Sequence, residues 1–258
     1  MQMLRRCFPA PVLLALLLPV NAQTPLRVAA AADLQPVLPP LLTEFEKATG
    51  IHAEGTYQAS ATLTAQIQNG APFDVFLSAD LGYPQKLIDA GLAEGLESKT
   101  APVTYAKGTL VLWERKDSGL PAPSLDLLKD SRLKRLAIAN PDRAPYGRAA
   151  VAALNSLKLY DELKPRLVTG DNIAQTAQFA DSGNADAGLI SLTGALTAQM
   201  SADGSYFVMP KDLYPPIEQG AVIVSKTTQH EAAQKLLEFL LSKPVQAELQ
   251  KSGLTPVR

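Results

Sequence analysis

Short apolar runs alternating with helical patterns constrain this chain more than any other feature. "LRVAAAA" (26–32) precedes a helical pattern over 35–49, "IHAEGTY" (51–57) one over 61–69, and "FDVFLSA" (73–79) one over 83–90. A long strand-like segment, "TYAKGTLVLWER" (104–115), interrupts the series. It resumes with "LKRLAIAN" (133–140) and a helix over 148–157, "PRLVTG" (165–170) and a helix over 173–182, then "ADAGLISL" (185–192). A second strand-like segment, "QGAVIVSK" (219–226), leads into helices over 229–241 and 244–251. Strands that alternate with helices in this way build sheets covered by helices on both faces.

The length fits two such α/β units of roughly 100 residues each. The two strand-like segments are placed to connect them, so one lobe is expected over 24–105 plus 221–258 and the other over 106–220. Two connections make a hinge. Ligands of open α/β sheets sit beyond the carboxyl ends of the strands, which puts a ligand in the cleft between the lobes.

Composition narrows the partners. Charged residues make up 19% of the chain and no polybasic block occurs, which argues against nucleic acid. Residues 1–22 read as a cleavable secretory signal peptide: Arg5 and Arg6 ahead of an apolar stretch over 11–20, then a small-residue cleavage site ending at Ala22. Without Arg5 and Arg6 the 24 Lys and Arg become 22 against 25 acids, a charge of about −3, so bulk charge does not recruit anions. Cys7 is the only cysteine and is expected to leave with the leader, so no disulfide is expected.

Four strand-to-helix corners carry the functional signal. They are Asp33, Ser60 with Thr62, Pro145-Tyr146-Gly147, and Asp171-Asn172 ahead of Ile173. The first turn of a helix offers unpaired N–H groups and about half a positive charge, and so holds an anion without Lys or Arg. Closing the cleft would converge two corners from each lobe. Six or seven hydrogen bonds to charged oxygens, at about 1.5–3 kcal/mol each, give roughly 9–20 kcal/mol before association costs. The plainer reading is that each corner merely caps its helix, as Ser, Asp and Asn usually do.

The stretches "VAAAADL" (28–34), "QASATLTAQIQNGAPFDVFLSAD" (58–80), "YAKGTLVLW" (105–113), "IANPDRAPYGRAA" (138–150) and "AVIVSK" (221–226) resemble, in order and spacing, the periplasmic molybdate-binding proteins of ABC importers. The likeness runs over essentially the whole chain after the leader. It implies the two-lobed type II periplasmic-binding-protein fold, an α/β architecture in which each lobe is a mixed sheet flanked by helices and two hinge strands join the lobes. It implies a periplasmic, monomeric binding protein with no catalytic residues and no cofactor, which hands molybdate or tungstate to a membrane permease. Carried over by position, the ligand-binding residues are Ala32 and Asp33, Ser60 by hydroxyl and amide, the Tyr146 and Ile173 amides with Asn172 beside the latter, and Ser191, where some relatives place a tyrosine.

Asp33 departs from that pattern, since relatives commonly carry Ser or Asn there. A carboxylate about 4 Å from a unit negative charge costs roughly 4 kcal/mol at an effective dielectric of 20, and a dianion doubles this. The favoured expectation is that Asp33 turns back to cap its own helix. The alternatives are protonation in the bound state or a ligand that is not fully charged.

Other residues favour structural roles. His52 and His230 have no partners at metal-ligand spacing. No G-x-S-x-G elbow or Gly-rich phosphate loop occurs. Asp80 is expected to cap the helix from Tyr83, Asp74 to fix a turn, and Trp113 to pack in the core or hinge. Arg143 and Arg148 flank the third corner; if they reached the cleft, a carboxylate ligand would fit. Sulfate or another small anion is the alternative cargo, and a secreted hydrolase using Ser60 or Asp33 is the reading from a different class.

Overall fold

The computed structural model describes residues 24–257. The expected signal peptide, with Cys7 and the site at Ala22, lies outside the described residues. Two mixed sheets flanked by helices form the molecule, as the alternating pattern implies.

The first sheet takes β1 (Leu26–Ala31), β2 (Ala53–Gln58), β3 (Val75–Ser78), β4 (Ala93–Glu94), β5 (Val103–Gly108) and β11 (Ile217–Val224). Its order is β2-β1-β3-β11-β4, with β5 also on β11. The second sheet takes β6 (Leu110–Arg115), β7 (Leu136–Ala139), β8 (Leu167–Gly170), β9 (Ala187–Ser191) and β10 (Gly204–Val208), in the order β10-β6-β9-β7-β8. The helices are α1 (Leu38–Thr49), α2 (Ser60–Gln68), α3 (Gly82–Asp89), α4 (Pro145–Ser156), α5 (Tyr160–Leu163), α6 (Ile173–Asp181), α7 (Leu192–Ala195), α8 (Ala198–Asp203), α9 (His230–Leu240) and α10 (Lys243–Lys251).

Strand alternation explains why the first sheet is apolar on both faces. Val28 and Ala30 point to one side, where Leu41 and Phe45 of α1 and Leu236 and Leu240 of α9 cover them. Ala29, Phe76 and Val222 point to the other and meet Leu63 and Ile67 of α2 and Leu87 of α3. Each large side chain buried in this way contributes about 1.5–3 kcal/mol. α1 stops at Gly50, whose φ of +73° suits glycine and whose N–H returns to the Glu46 carbonyl at 2.8 Å.

The 104–115 segment is not one strand. It breaks at Thr109, so that β5 pairs with β11 in the first sheet and β6 pairs with β9 and β10 in the second. The return path runs through 209–216, where Pro210, Pro215 and Pro216 lack the N–H groups a ladder needs. β11 then lies wholly in the first sheet. Trp113, buried in β6, donates its indole N–H to the Met200 carbonyl at 3.2 Å and is core of the second unit rather than hinge.

The two units are closed on each other. Ala31, Ala32 and Ala79, all from the first unit, belong to the apolar cluster centred on the second sheet. No helix among the described residues is long and apolar enough to cross a membrane.

Candidate functional site

Two pairs of adjacent parallel strands set the geometry. β1 runs beside β2 with Ala31 opposite Gln58, and β7 beside β8 with Ala139 opposite Gly170, so each pair ends level at its carboxyl edge. The four corners follow those ends. After β1 comes a 3-10 turn over Ala32–Leu34, and after β2 helix α2 begins at Ser60. After β7 helix α4 begins at Pro145, and after β8 helix α6 begins at Ile173. Proline suits the first turn of α4, where its missing N–H would lack an intrahelical acceptor in any case.

Closure brings the corners together around a narrow gap. Ala32, Asp33, Ser60, Tyr146, Asn172 and Ile173 all line it, together with Gln58, Pro145 and alanines, and neither Lys nor Arg does. The Ser60, Tyr146 and Ile173 amides lie in the first turns of their helices, where no i−4 carbonyl is available within the helix. Ser60 is buried, and its Oγ accepts from the Ala79 amide at 3.1 Å, which keeps its own O–H free to donate. Asn172 is the cap of α6: its Oδ1 accepts from the Gln175 amide at 3.0 Å, so its side chain serves the helix. Gly147 lets α4 approach this closely, since a Cβ there would lie 2.2 Å from the Ala139 carbonyl oxygen.

Asp33 does not cap its own helix, contrary to the favoured expectation. The turn has no side-chain cap, and the carboxylate reaches across the cleft instead. Its Oδ2 accepts from the Tyr146 hydroxyl at 3.2 Å and from the Gln219 side-chain amide, while its main-chain carbonyl accepts from Thr193 Oγ1 at 2.8 Å. Oδ1 is buried without a partner. Burial is the dominant influence and pushes the Asp33 carboxyl up to about 6, against the lowering effect of Gln219, Tyr146 and its own backbone N–H. Burial likewise drives the Tyr146 phenol well above its ordinary range, with the Asp33 charge adding to it.

Ser191 is not in the gap. Its Oγ caps α7, accepting from the Gly194 amide at 3.2 Å, and lies 2.9 Å from Thr193 Oγ1. It lines a neighbouring, wider cavity that Ala32, Asp33 and Ile173 also border. A strand end followed by "SLTG" makes a cap the economical use of that serine.

Both arginines stay on the rim. Arg148 pairs with Asp80, donates to the Tyr83 hydroxyl at 3.3 Å and lies 5.3 Å above the Tyr83 ring. Arg143 meets Asp171 at 3.3 Å, and its carbonyl accepts from the Ala61 amide at 3.1 Å. Tyr83 also donates to the Asp142 carbonyl at 3.2 Å. These contacts clasp the first unit to the second and leave no guanidinium fork in the gap for a carboxylate. Asp80 caps α3, as expected, by accepting from the Tyr83 amide at 3.0 Å. Asp74 accepts from the Arg27 amide at 2.7 Å and so ties the start of β3 to β1.

His52 meets Glu46 at 3.0 Å and Glu54 at 3.4 Å, and His230 meets Glu94 at the surface. Among the described residues no group of three or more His, Cys, Asp or Glu is arranged to hold a metal ion. Sequence reasoning missed Gln219 and Thr193. Gln219 had a readable signal: an amide inside the apolar run of β11, fully buried, requires a polar partner.

Residues 26–255 match the family model for bacterial extracellular solute-binding proteins. The molybdate-binding protein ModA of Azotobacter vinelandii is 41% identical over 214 residues, covering 83% of each chain, and that of Rhodobacter capsulatus is 36% identical over 81% of this chain and 79% of its own. The solved periplasmic molybdate-binding protein of Azotobacter vinelandii superposes with a TM-score of 0.83 at 33% identity, over 90% of this chain and all of that one. A structure from Clostridium difficile, named for the substrate-binding domain of a molybdenum ABC transporter, gives 0.69 at 26% identity, over 90% of this chain and 99% of its own. The chain therefore belongs to the bacterial extracellular solute-binding protein family.

Proposed function

We propose that this protein captures molybdate or tungstate between its two units, outside the inner membrane, and presents the closed form to the permease of an ABC importer. The observation that carries the reading is the convergence of four strand-to-helix corners on one small gap without Lys or Arg. Neutral donors there come from both sides of the cleft: the turn at Ala32 and Asp33, the Ser60 amide and hydroxyl, and the Tyr146 and Ile173 amides. An anion gripped by both units favours closure, whereas one touching a single unit would not. The likeness to molybdate-binding relatives supports molybdate over sulfate as cargo. The same likeness supports a binding role without catalysis. Ser60 is engaged with a backbone amide and both histidines with glutamates, so neither histidine is paired with the serine for hydrolysis.

A thermal-shift panel tests this. A ligand that binds only the folded state adds RT ln(1 + [L]/Kd), about 2.7 kcal/mol at a hundredfold excess over Kd. Molybdate and tungstate at ~100 µM should raise the melting temperature, and sulfate and phosphate should not. A shift with sulfate and none with molybdate would reverse the assignment of cargo.

A further inference from the structure

Asp33 is the one acid on the wall of the gap, and no cation lines it to balance the charge. The carboxylate is held on one side only: Oδ2 takes both donors, the Tyr146 hydroxyl and the Gln219 amide, and Oδ1 has none. The elements packed around it present Tyr146 from α4, Tyr105 from β5, Gln219 from β11, Thr193 from α7 and Ile173 from α6. Arg148 and Arg143 are engaged with Asp80 and Asp171 on the rim. Asp181 of α6 borders the neighbouring cavity beside Asp33 and, being another acid, offers no compensation.

Resting on the oxyanion reading of the cleft, we propose that the protein takes up one proton with each anion it binds, on Oδ1 of Asp33. The acid form of the surrounding buffer supplies the proton, leaving its conjugate base in solution; the neutral carboxylic acid donates its O–H to an oxygen of the ligand, and the proton returns to the buffer on release. An ionised Asp33 beside a dianion would repel it, and no cation in the gap offsets that repulsion. Protonation replaces that repulsion by a hydrogen bond. Oδ1 is the atom with capacity, because Oδ2 already accepts twice. Burial has moved the Asp33 carboxyl to about 6, so little further work is needed to protonate it near neutrality, and a bound dianion pushes in the same direction.

Titration calorimetry of the wild-type chain with sodium molybdate, in buffers of different ionisation enthalpy, reads the proton directly. At pH 7.5 uptake should approach about one proton per anion, and it should fall toward zero at pH 5, below the Asp33 value. Kd should weaken about tenfold per pH unit between pH 7 and 8.5. Asp33→Asn, which keeps shape and a donor, should show no uptake, a Kd flat from pH 5 to 8.5, and tighter binding than wild type at pH 8.5. Molybdate binding to the wild type with no proton uptake at pH 7.5 overturns the inference and leaves the oxyanion reading intact. Absence of heat and of thermal shift with both molybdate and tungstate, in both proteins, overturns that reading and the inference together.

Discussion

Replacing Ser60 by alanine removes one oxygen that does two jobs. Its Oγ accepts from the Ala79 amide at 3.1 Å, and its O–H is free to donate into the gap. Loss of the acceptor strands a buried N–H, which costs about 1–3 kcal/mol of stability. In a chain of this size each kcal/mol lowers the melting temperature by about 2–4 °C. Loss of the donor removes one hydrogen bond to a charged oxygen, about 1.5–3 kcal/mol, or roughly 10- to 150-fold in Kd for molybdate. Differential scanning calorimetry without ligand gives the first quantity and titration calorimetry at a temperature well below unfolding gives the second. The two effects are separable because only the folded fraction binds. A folded Ser60→Ala protein that binds molybdate within twofold of wild type would refute the placement of this hydroxyl against the ligand.

Three further perturbations test other parts of the account. Arg148→Ala removes the rim clasp to Asp80 and Tyr83; with about half of the Arg148 side chain exposed, the loss should be about 1 kcal/mol, a ~5-fold weaker Kd with a faster off-rate and a more open shape in solution scattering. Gly147→Ala forces a Cβ to 2.2 Å from the Ala139 carbonyl and should cost about 1–3 kcal/mol by displacing α4, read as a lowered melting temperature and weaker anion binding together. Asp33 holds its proton more tightly folded, at about 6, than unfolded, at 3.8, so its contribution to stability falls as pH rises through that window. Two units correspond to about 3 kcal/mol as an order of magnitude, so ligand-free Asp33→Asn should melt higher than wild type at pH 7.5, and the gain should vanish near pH 4. An equal gain at both pH values would show that burial of charge is not the cause.

The alternation of apolar runs and helices located every long helix to within a few residues, because burial on both faces of a parallel sheet leaves continuous apolar strands that are easy to read. The corners were legible for the same reason: a cap residue stands where a strand ends and a helix begins. Long-range pairing was not legible. Whether 104–115 stays in one sheet depends on which partners lie on each side of Thr109, and both partner strands, β9 and β11, are about 80 or more residues away in sequence. Asp33 was misjudged for a related cause. Local reasoning weighs the nearest backbone, but its partners Tyr146 and Gln219 arrive from 113 and 186 residues along the chain. For Ser191 a likeness by position suggests a ligand contact, while its oxygen accepts from the first turn of α7.

Crystals grown with molybdate and measured at the molybdenum absorption edge locate the ion without reference to any side-chain interpretation. The account predicts one anomalous peak in the gap bounded by Asp33, Ser60, Tyr146 and Ile173, within hydrogen-bond reach of both units. A peak confined to one unit, or seated on surface cations such as Arg27 and Lys226, would contradict it.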